Sequence, residues 1–307
     1  HNFDDYYLFK IEGECELENT NLLFPDVISS SDWTESAFDN KRFVLSTSGT
    51  VTINSNQKVK GLMVIPDGGK LVIDGATIEF GDGNKLGYPT GILVLRGGEL
   101  EIKNGAILKA STTCDNTMWD GIQALGNPGV GTTSGVQARV AINSGCTIQD
   151  ARIGVLAGGE YSNTYKWQGG GIVTTDGATF LNNRRDVIFY PYDISRNSPW
   201  FGESYLWNTD FLTTGQLRDK HNAWTVIDCH DYPSGASEHV TIWDVHGIDV
   251  VGCTFEGTDN LDPLVWSIGI NSFNATYDVD CATSNSSGCT SPANSFDKLS
   301  YGINASA

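Results

Sequence analysis

Basic residues are scarce in this chain. Lys and Arg number 19 against 37 Asp and Glu, a formal net charge of −18. That balance opposes binding to nucleic acid or to an anionic lipid surface and favours solubility. Long apolar runs are missing too. No stretch of about 18 apolar residues occurs, so no membrane-spanning helix is expected. Helical patterning is the third absence, because no segment repeats apolar residues at helical spacing. Two-residue Asn-Gly turns, which close antiparallel hairpins, are few. A leader with a charged start and an apolar stretch is also lacking after His1. The chain therefore reads as a mature or excised portion of a longer precursor.

What the sequence does contain is a recurring phrase: a glycine pair, an alternating strand, a turn glycine and a second short strand. It runs Gly68-Gly-Lys-Leu-Val-Ile-Asp-Gly75-Ala-Thr-Ile-Glu-Phe80, then Gly97-Gly-Glu-Leu-Glu-Ile-Lys-Asn-Gly105-Ala-Ile-Leu108. It returns at Gly169-Gly-Gly-Ile-Val-Thr-Thr-Asp-Gly177-Ala-Thr-Phe180, and in short form at Gly145-Cys-Thr-Ile148 and Gly252-Cys-Thr-Phe255. Asn208-Thr-Asp-Phe211 occupies the same slot 31 residues after Gly177. A period of about 20 to 50 residues marks a solenoid, propeller or array, in which each unit buries its apolar side on its neighbours.

Side-chain alternation decides among these. Leu71 and Ile73, Leu100 and Ile102, Val140 and Ile142, and Ile248 and Val250 alternate with polar residues, the two-residue period of a strand with one buried face. Units made only of strands, repeated in the same order, stack in parallel; a propeller blade would need antiparallel hairpins inside each unit. The expectation is an all-β parallel β-helix. Residues 1–45 form an irregular lead-in or cap, and residues 46–307 form the solenoid. The last recognisable coil runs through Ile268-Gly-Ile270, and loop insertions fall around 190–207 and 213–239.

Seven cysteines suggest an oxidising compartment, and an odd number cannot all pair internally. Cys146 and Cys253 fill the slot of Ala76, Ala106 and Ala178, directly after the turn glycine, and read as small inward-facing core residues. Cys281 and Cys289 flank a flexible loop that a disulfide could staple. Cys15, Cys114 and Cys229 stay unassigned.

The phrase Thr117-Met-Trp-Asp-Gly-Ile122, preceded by Cys114 and followed by Gly145-Cys-Thr-Ile-Gln-Asp-Ala-Arg-Ile-Gly154 and Gly170-Gly-Ile-Val-Thr-Thr-Asp-Gly177, carries a resemblance. It resembles the right-handed parallel β-helix region of large secreted or surface-attached proteins of Bacteroidetes, many exported by the type IX route. The resemblance covers roughly residues 46–190 well and the rest loosely. It implies a right-handed coil, an extracellular location, and roles in adhesion, surface layers or polymer contact. It brings no catalytic residues with it.

β-helices host polysaccharide lyases and hydrolases, whose catalytic groups would leave recognisable motifs. Asn208-Thr-Asp210 and His246-Gly247 echo fragments of the polygalacturonase pattern, but its Asp-Asp and Arg-x-Lys pieces are missing, so Asn208-Thr-Asp-Phe211 reads as a diverged coil. Arg184-Arg185-Asp186, after Asn182-Asn183, reads as a solvated turn. His221, His230, His239 and His246 lie at spacings that fit no standard zinc site. Asp82-Gly-Asn84 and Asp259-Asn-Leu-Asp262 are the best places for structural calcium, and both read more as turns. Aromatic residues Tyr190, Tyr192, Trp200, Phe201 and Trp207 are the candidate binding residues of the first insertion. Trp119 reads as structural.

The reading is a non-catalytic extracellular rod, an adhesin or a structural subunit of a surface assembly, with no catalytic or metal-binding residues assigned. Its partners would be other surface subunits, further segments of the same precursor, or an extracellular polysaccharide. The alternatives are a polysaccharide lyase or glycoside hydrolase on the same scaffold, and a non-catalytic carbohydrate-binding module.

Overall fold

The computed structural model describes residues 45, 49–59, 61–81, 90–112, 118–126, 137–158, 170–190, 203–215, 217–218, 238–258, 267–281 and 293–306. It also describes the backbones of the short strands Trp33–Ser36, Asp39–Leu45, Glu160–Tyr161, Trp167–Gln168, Ser284–Asn285 and Gly288–Cys289. Among the described residues there are strands and no helices, hence no helix long and apolar enough to cross a membrane.

Each occurrence of the repeated phrase supplies strands to two different sheets. The strand before the turn glycine joins sheet 1: Gly49–Ile53, Gly69–Asp74, Glu99–Lys103, Arg139–Ile142, Ile172–Asp176, Ser204–Trp207, His246–Val251 and Thr276–Asp280. The strand after it joins sheet 2: Gln57–Val59, Thr77–Phe80, Ile107–Ala110, Thr147–Gln149, Thr179–Leu181, Asp210–Leu212, Thr254–Glu256 and Ser295–Asp297. A third strand closes each winding in sheet 3: Leu62–Ile65, Gly91–Val94, Trp119–Ala124, Ala151–Ala157, Arg185–Phe189, Glu238–Trp243, Ile268–Phe273 and Tyr301–Ser306. Neighbouring windings are parallel throughout, giving a three-sided solenoid of β-helix type. Asp39–Leu45 also lies parallel on Leu62–Ile65, and Trp33–Ser36 adds an antiparallel strand outside it. The regular stack thus reaches back to Asp39, earlier than expected, and extends one full winding beyond Ile268–Phe273.

Register fixes what lies inside. Thr77, Ile107, Thr147, Thr179, Asp210 and Thr254 are aligned across sheet 2. The residues before them, Ala76, Ala106, Cys146, Ala178, Thr209 and Cys253, therefore form one internal column, and all are buried. Cys146 and Cys253 are free thiols there, and burial pushes the Cys253 thiol up to about 12. The next inward position of sheet 2 carries Phe180, Phe211, Phe255 and Phe296, whose rings stack at 5.2, 4.8 and 4.8 Å between centroids. Phe80 and Trp119 form a second stack at 4.4 Å, and the indole Nε1 of Trp119 donates to the Gln149 carbonyl at 2.8 Å. Each buried ring contributes about 1.5–3 kcal/mol by leaving water, with further gain from stacking.

The phenylalanine stack constrains the opposite wall. A Cβ on Gly154 would lie 2.9 Å from the Phe180 ring, and one on Gly269 the same distance from the Phe296 ring. Any larger residue there would displace the rings. At the sheet 1 to sheet 2 corner the chain turns through left-handed backbone, with φ between 65° and 76° at Gly75, Gly105, Gly145, Gly177 and Gly252. Asn208 takes that corner in the sixth winding with φ of 48°. It is among the few side chains that tolerate this region, and its Nδ2 donates to Asp176 Oδ1 at 2.9 Å. Asn208→Gly should cost no more than about 1 kcal/mol, the worth of one exposed hydrogen bond. Asn208→Val should cost about 1–2 kcal/mol more, through the clash a β-branched residue meets at positive φ. Urea unfolding midpoints of the two variants check the difference.

Candidate functional site

Two places in the described structure gather chemistry: the outer face of sheet 1 and a polar cluster inside the solenoid. On the outer face, the period of two turns every second residue outward, and parallel register lines these residues up into columns. One column runs Glu101, Ala141, Thr174, Tyr205, Asp249, Asp278; its neighbour runs Asp176, Trp207, Val251, Asp280 in the last four windings, with Asp74 and Lys103 at the same position in earlier ones. Tyr205 and Trp207 stack on each other at 4.1 Å and 26°, so the two rings do not lie side by side as a coplanar platform. Trp207 is 38% exposed. It sits on a regular strand, not in a loop.

Charge is distributed unevenly along this face. In the early windings it alternates: Lys70 Nζ lies 2.9 Å from Glu101, and Lys103 approaches Asp74 and Glu101 at 3.8 and 3.9 Å. The Glu101 hydrogen bond raises the Lys70 pKa, and Lys70 in return lowers that of Glu101. In the late windings the strands carry Asp176, Asp249, Asp278 and Asp280 and no Lys or Arg. Burial, then the neighbouring charge of Asp278, raises the Asp249 pKa.

No family model, curated protein or solved structure matches the chain.

Inside the solenoid, Asn183, Asp186 and His239 form a connected cluster. His239 Nδ1 and Asp186 Oδ2 lie 2.6 Å apart, and both side chains are 1% exposed. Asn183 Nδ2 donates to Asp186 Oδ1 at 2.8 Å and to the Ile148 carbonyl at 2.9 Å. Its Oδ1 accepts the Ala151 N–H at 2.7 Å, which ties the cluster to the preceding winding. The expected solvated turn at Arg184-Arg185-Asp186 is therefore corrected. Arg185 opens a strand and pairs with Glu238 at 3.8 Å, while Asp186 points into the core. The cause is a local break in alternation. Asp186 and Val187 both face inward, as do His239 and Val240, because Gly154 and Gly269 in the flanking windings make room. Among the described residues His239 Nε2 has no hydrogen-bond partner, and the ring lies between Phe211 and Phe255, at ring distances of 6.3 and 6.2 Å. This imidazole edge is walled by phenyl rings among the described residues and packs as part of the core.

The remaining candidates are placed as follows. Tyr190, directly after the sheet 3 strand Arg185–Phe189, is buried against Ile153, Leu156, Ile188 and Trp243, away from the sheet 1 strand that carries Trp207. Tyr192, Trp200 and Phe201 lie outside the described residues, as do His221, Cys229, His230, Asp231, and both proposed calcium loops. Asn208-Thr-Asp-Phe211 is in register with Gly177-Ala-Thr-Phe180, the diverged coil its spacing suggested. His246 Nδ1 lies 2.9 Å from Thr276 Oγ1 on the next winding. Among the described residues no group of three or more His, Cys, Asp or Glu is arranged to hold a metal. Cys281 is buried; the side chain of Cys289 lies outside the described residues.

Burial, opposed by the hydrogen bonds from His239 and Asn183, raises the Asp186 pKa above its ordinary value. The folded state therefore holds a proton that the unfolded chain releases at about pH 4. By linkage, this group's contribution is fully present below that pH and is lost as pH rises through the folded value. Asp186→Asn, nearly isosteric, should remove that component. Plotted against pH, the wild-type denaturation midpoint minus the variant midpoint should fall from acid toward neutral, and a flat difference would contradict the assignment.

Proposed function

We propose that this chain is a non-catalytic extracellular rod, a right-handed parallel β-helix serving as an adhesin or as a structural subunit of a cell-surface assembly. The observation that carries the reading is the parallel pairing of successive windings in three sheets, with one buried column along sheet 2 and a phenylalanine stack through the later windings. Backbone hydrogen bonds in such a stack run along the long axis, which gives stiffness and displays the outer faces in order. Right-handedness is inferred from chirality, since strand–crossover–parallel strand connections take that hand in about 98% of cases.

Placement among the secreted or surface proteins of Bacteroidetes that use the type IX route rests on the Thr117-Met-Trp-Asp-Gly-Ile122 phrase and its neighbours. The partners we infer are other surface subunits, further segments of the same precursor, or an extracellular polysaccharide. In favour of the first two, Val279 and Ile303 are 37% and 44% exposed on the last described winding, whereas their in-register counterparts Val250 and Ile270 are fully buried. The net charge of −18 disfavours nucleic acid and anionic membranes.

A Cys281–Cys289 bridge belongs to the same proposal. Cys281 is buried, and Ser284–Asn285 pairs antiparallel with Gly288–Cys289, which turns the loop back on itself. Non-reducing peptide mapping should recover the two cysteines in one linked fragment; alkylation of both without reduction would remove the bridge.

Beads coated with the purified chain should adhere to cell surfaces or to immobilised polysaccharide while leaving polymer length unchanged. Release of new reducing ends or unsaturated sugar products from a polysaccharide panel would overturn the non-catalytic reading in favour of a lyase or hydrolase.

A further inference from the structure

The late windings of sheet 1 present an ordered grid on their outer face. Read winding by winding, its rows are Thr174 and Asp176, Tyr205 and Trp207, Asp249 and Val251, then Asp278 and Asp280. Tyr205, Trp207 and Val251 make an apolar middle. Asp176 lies on one side of it, and Asp249, Asp278 and Asp280 lie on the other. Asp278 and Asp280 are exposed. Asp249 and Asp278 stand directly opposite one another on adjacent parallel strands, an arrangement that like charges make unfavourable. In the early windings the second of these columns alternates in sign, Asp74 against Lys103, and Lys70 from the adjacent column reaches Glu101 diagonally at 2.9 Å. The late half of the face thus departs from a pattern that the same scaffold satisfies elsewhere.

We propose that this face docks an extended, Lys- or Arg-bearing segment of a partner protein. Charge complementarity selects the sign, and the grid selects the form. Alternate residues of an extended chain repeat at about 6.6–7 Å, the same interval that separates Asp278 from Asp280 along their strand. Lys and Arg carry apolar stems below a charged head. Their stems match Trp207 and Val251, their heads reach the flanking carboxylates, and the exposed part of the Trp207 ring can attract a cation through its quadrupole. A metal ion is a poorer fit, because no group of three or more His, Cys, Asp or Glu among the described residues is arranged to hold one. The inference rests on the reading of the chain as a binding rod and names the partner class for one of its faces.

The test uses the full chain and a fluorescently labelled peptide of alternating Arg and Ser, with anisotropy read at about 0.15 M salt, where long-range attraction is screened beyond about 8 Å. Asp278→Asn with Asp280→Asn should weaken binding about tenfold, and Trp207→Ala about threefold to tenfold, since contact pairs and ring–cation contacts each contribute on that scale. Glu256→Gln with Asp297→Asn removes the same charge from sheet 2 and should change binding less than about twofold. Equal loss in both double variants would overturn the proposal, showing attraction to net charge only. Displacement of the peptide by a neutral oligosaccharide at Trp207 would also overturn it and make the face a sugar site. Polymer cleavage by the wild-type chain would remove the rod reading while leaving these peptide affinities as measured.

Discussion

Everything in this molecule depends on parallel register between windings. A strand pairs with the strand one winding away, so a residue's depth in the core is decided by neighbours about 30 positions distant. A slip of one residue would turn the aliphatic side chains of sheet 1 outward and expose the phenylalanine stack of sheet 2. The left-handed corners guard against such a slip. Each of Gly75, Gly105, Gly145, Gly177, Asn208 and Gly252 can occupy its corner only because the backbone there tolerates positive φ. The corner residues therefore set where each strand starts, and the inward side chains hold it there.

Much of this was legible in the chain because corner and column recur together. The small residue after each corner glycine identified Ala76, Ala106, Cys146, Ala178 and Cys253 as a single column, and the structure places all five inside it. The diverged winding at Asn208 was recognisable because Asn208-Thr-Asp-Phe211 falls where the repeat places Gly-Ala-Thr-Phe; the structure adds that its corner is left-handed, a conformation asparagine accepts. The ends of the regular stack were harder to read. Asp39–Leu45 and the winding after Ile268–Phe273 lack the glycine-alanine phrase, and Asp278, Asp280 and Asp297 make their strands look like surface loops. Backbone pairing with the neighbouring winding, which no local pattern encodes, makes them strands.

The polar cluster escaped notice for a different reason. Alternation predicts which side chains face inward only where the strand is regular. At Asp186 and His239 two consecutive residues face the interior, a break that depends on glycines at 154 and 269 in the adjoining windings. Beside Arg184 and Arg185, Asp186 looks like part of a charged turn. Its surroundings come from residues distant in sequence, Asn183 being the one local partner. The cluster also shows how a solenoid core accepts ionisable groups: Asn183 binds backbone atoms of the preceding winding, so the polar atoms of the cluster replace hydrogen bonds that an apolar residue could not supply.

The same register that organises the interior also organises the surface. On a globular protein, an aromatic pair and several carboxylates brought together by folding usually come from unrelated loops. Here Tyr205, Asp249 and Asp278 are neighbours because they hold the same position in successive windings, as Trp207, Val251 and Asp280 do in the next column. Spacing across such a face is set by the strand separation and along it by the two-residue repeat, so neither depends on side-chain packing for its precision. A ligand that is itself periodic and extended can match both intervals at once, whereas a compact one engages a single row. The geometry of stacking thus favours polymers, peptide or saccharide, over small molecules. Within that choice, the single sign of charge in the late windings favours the cationic peptide.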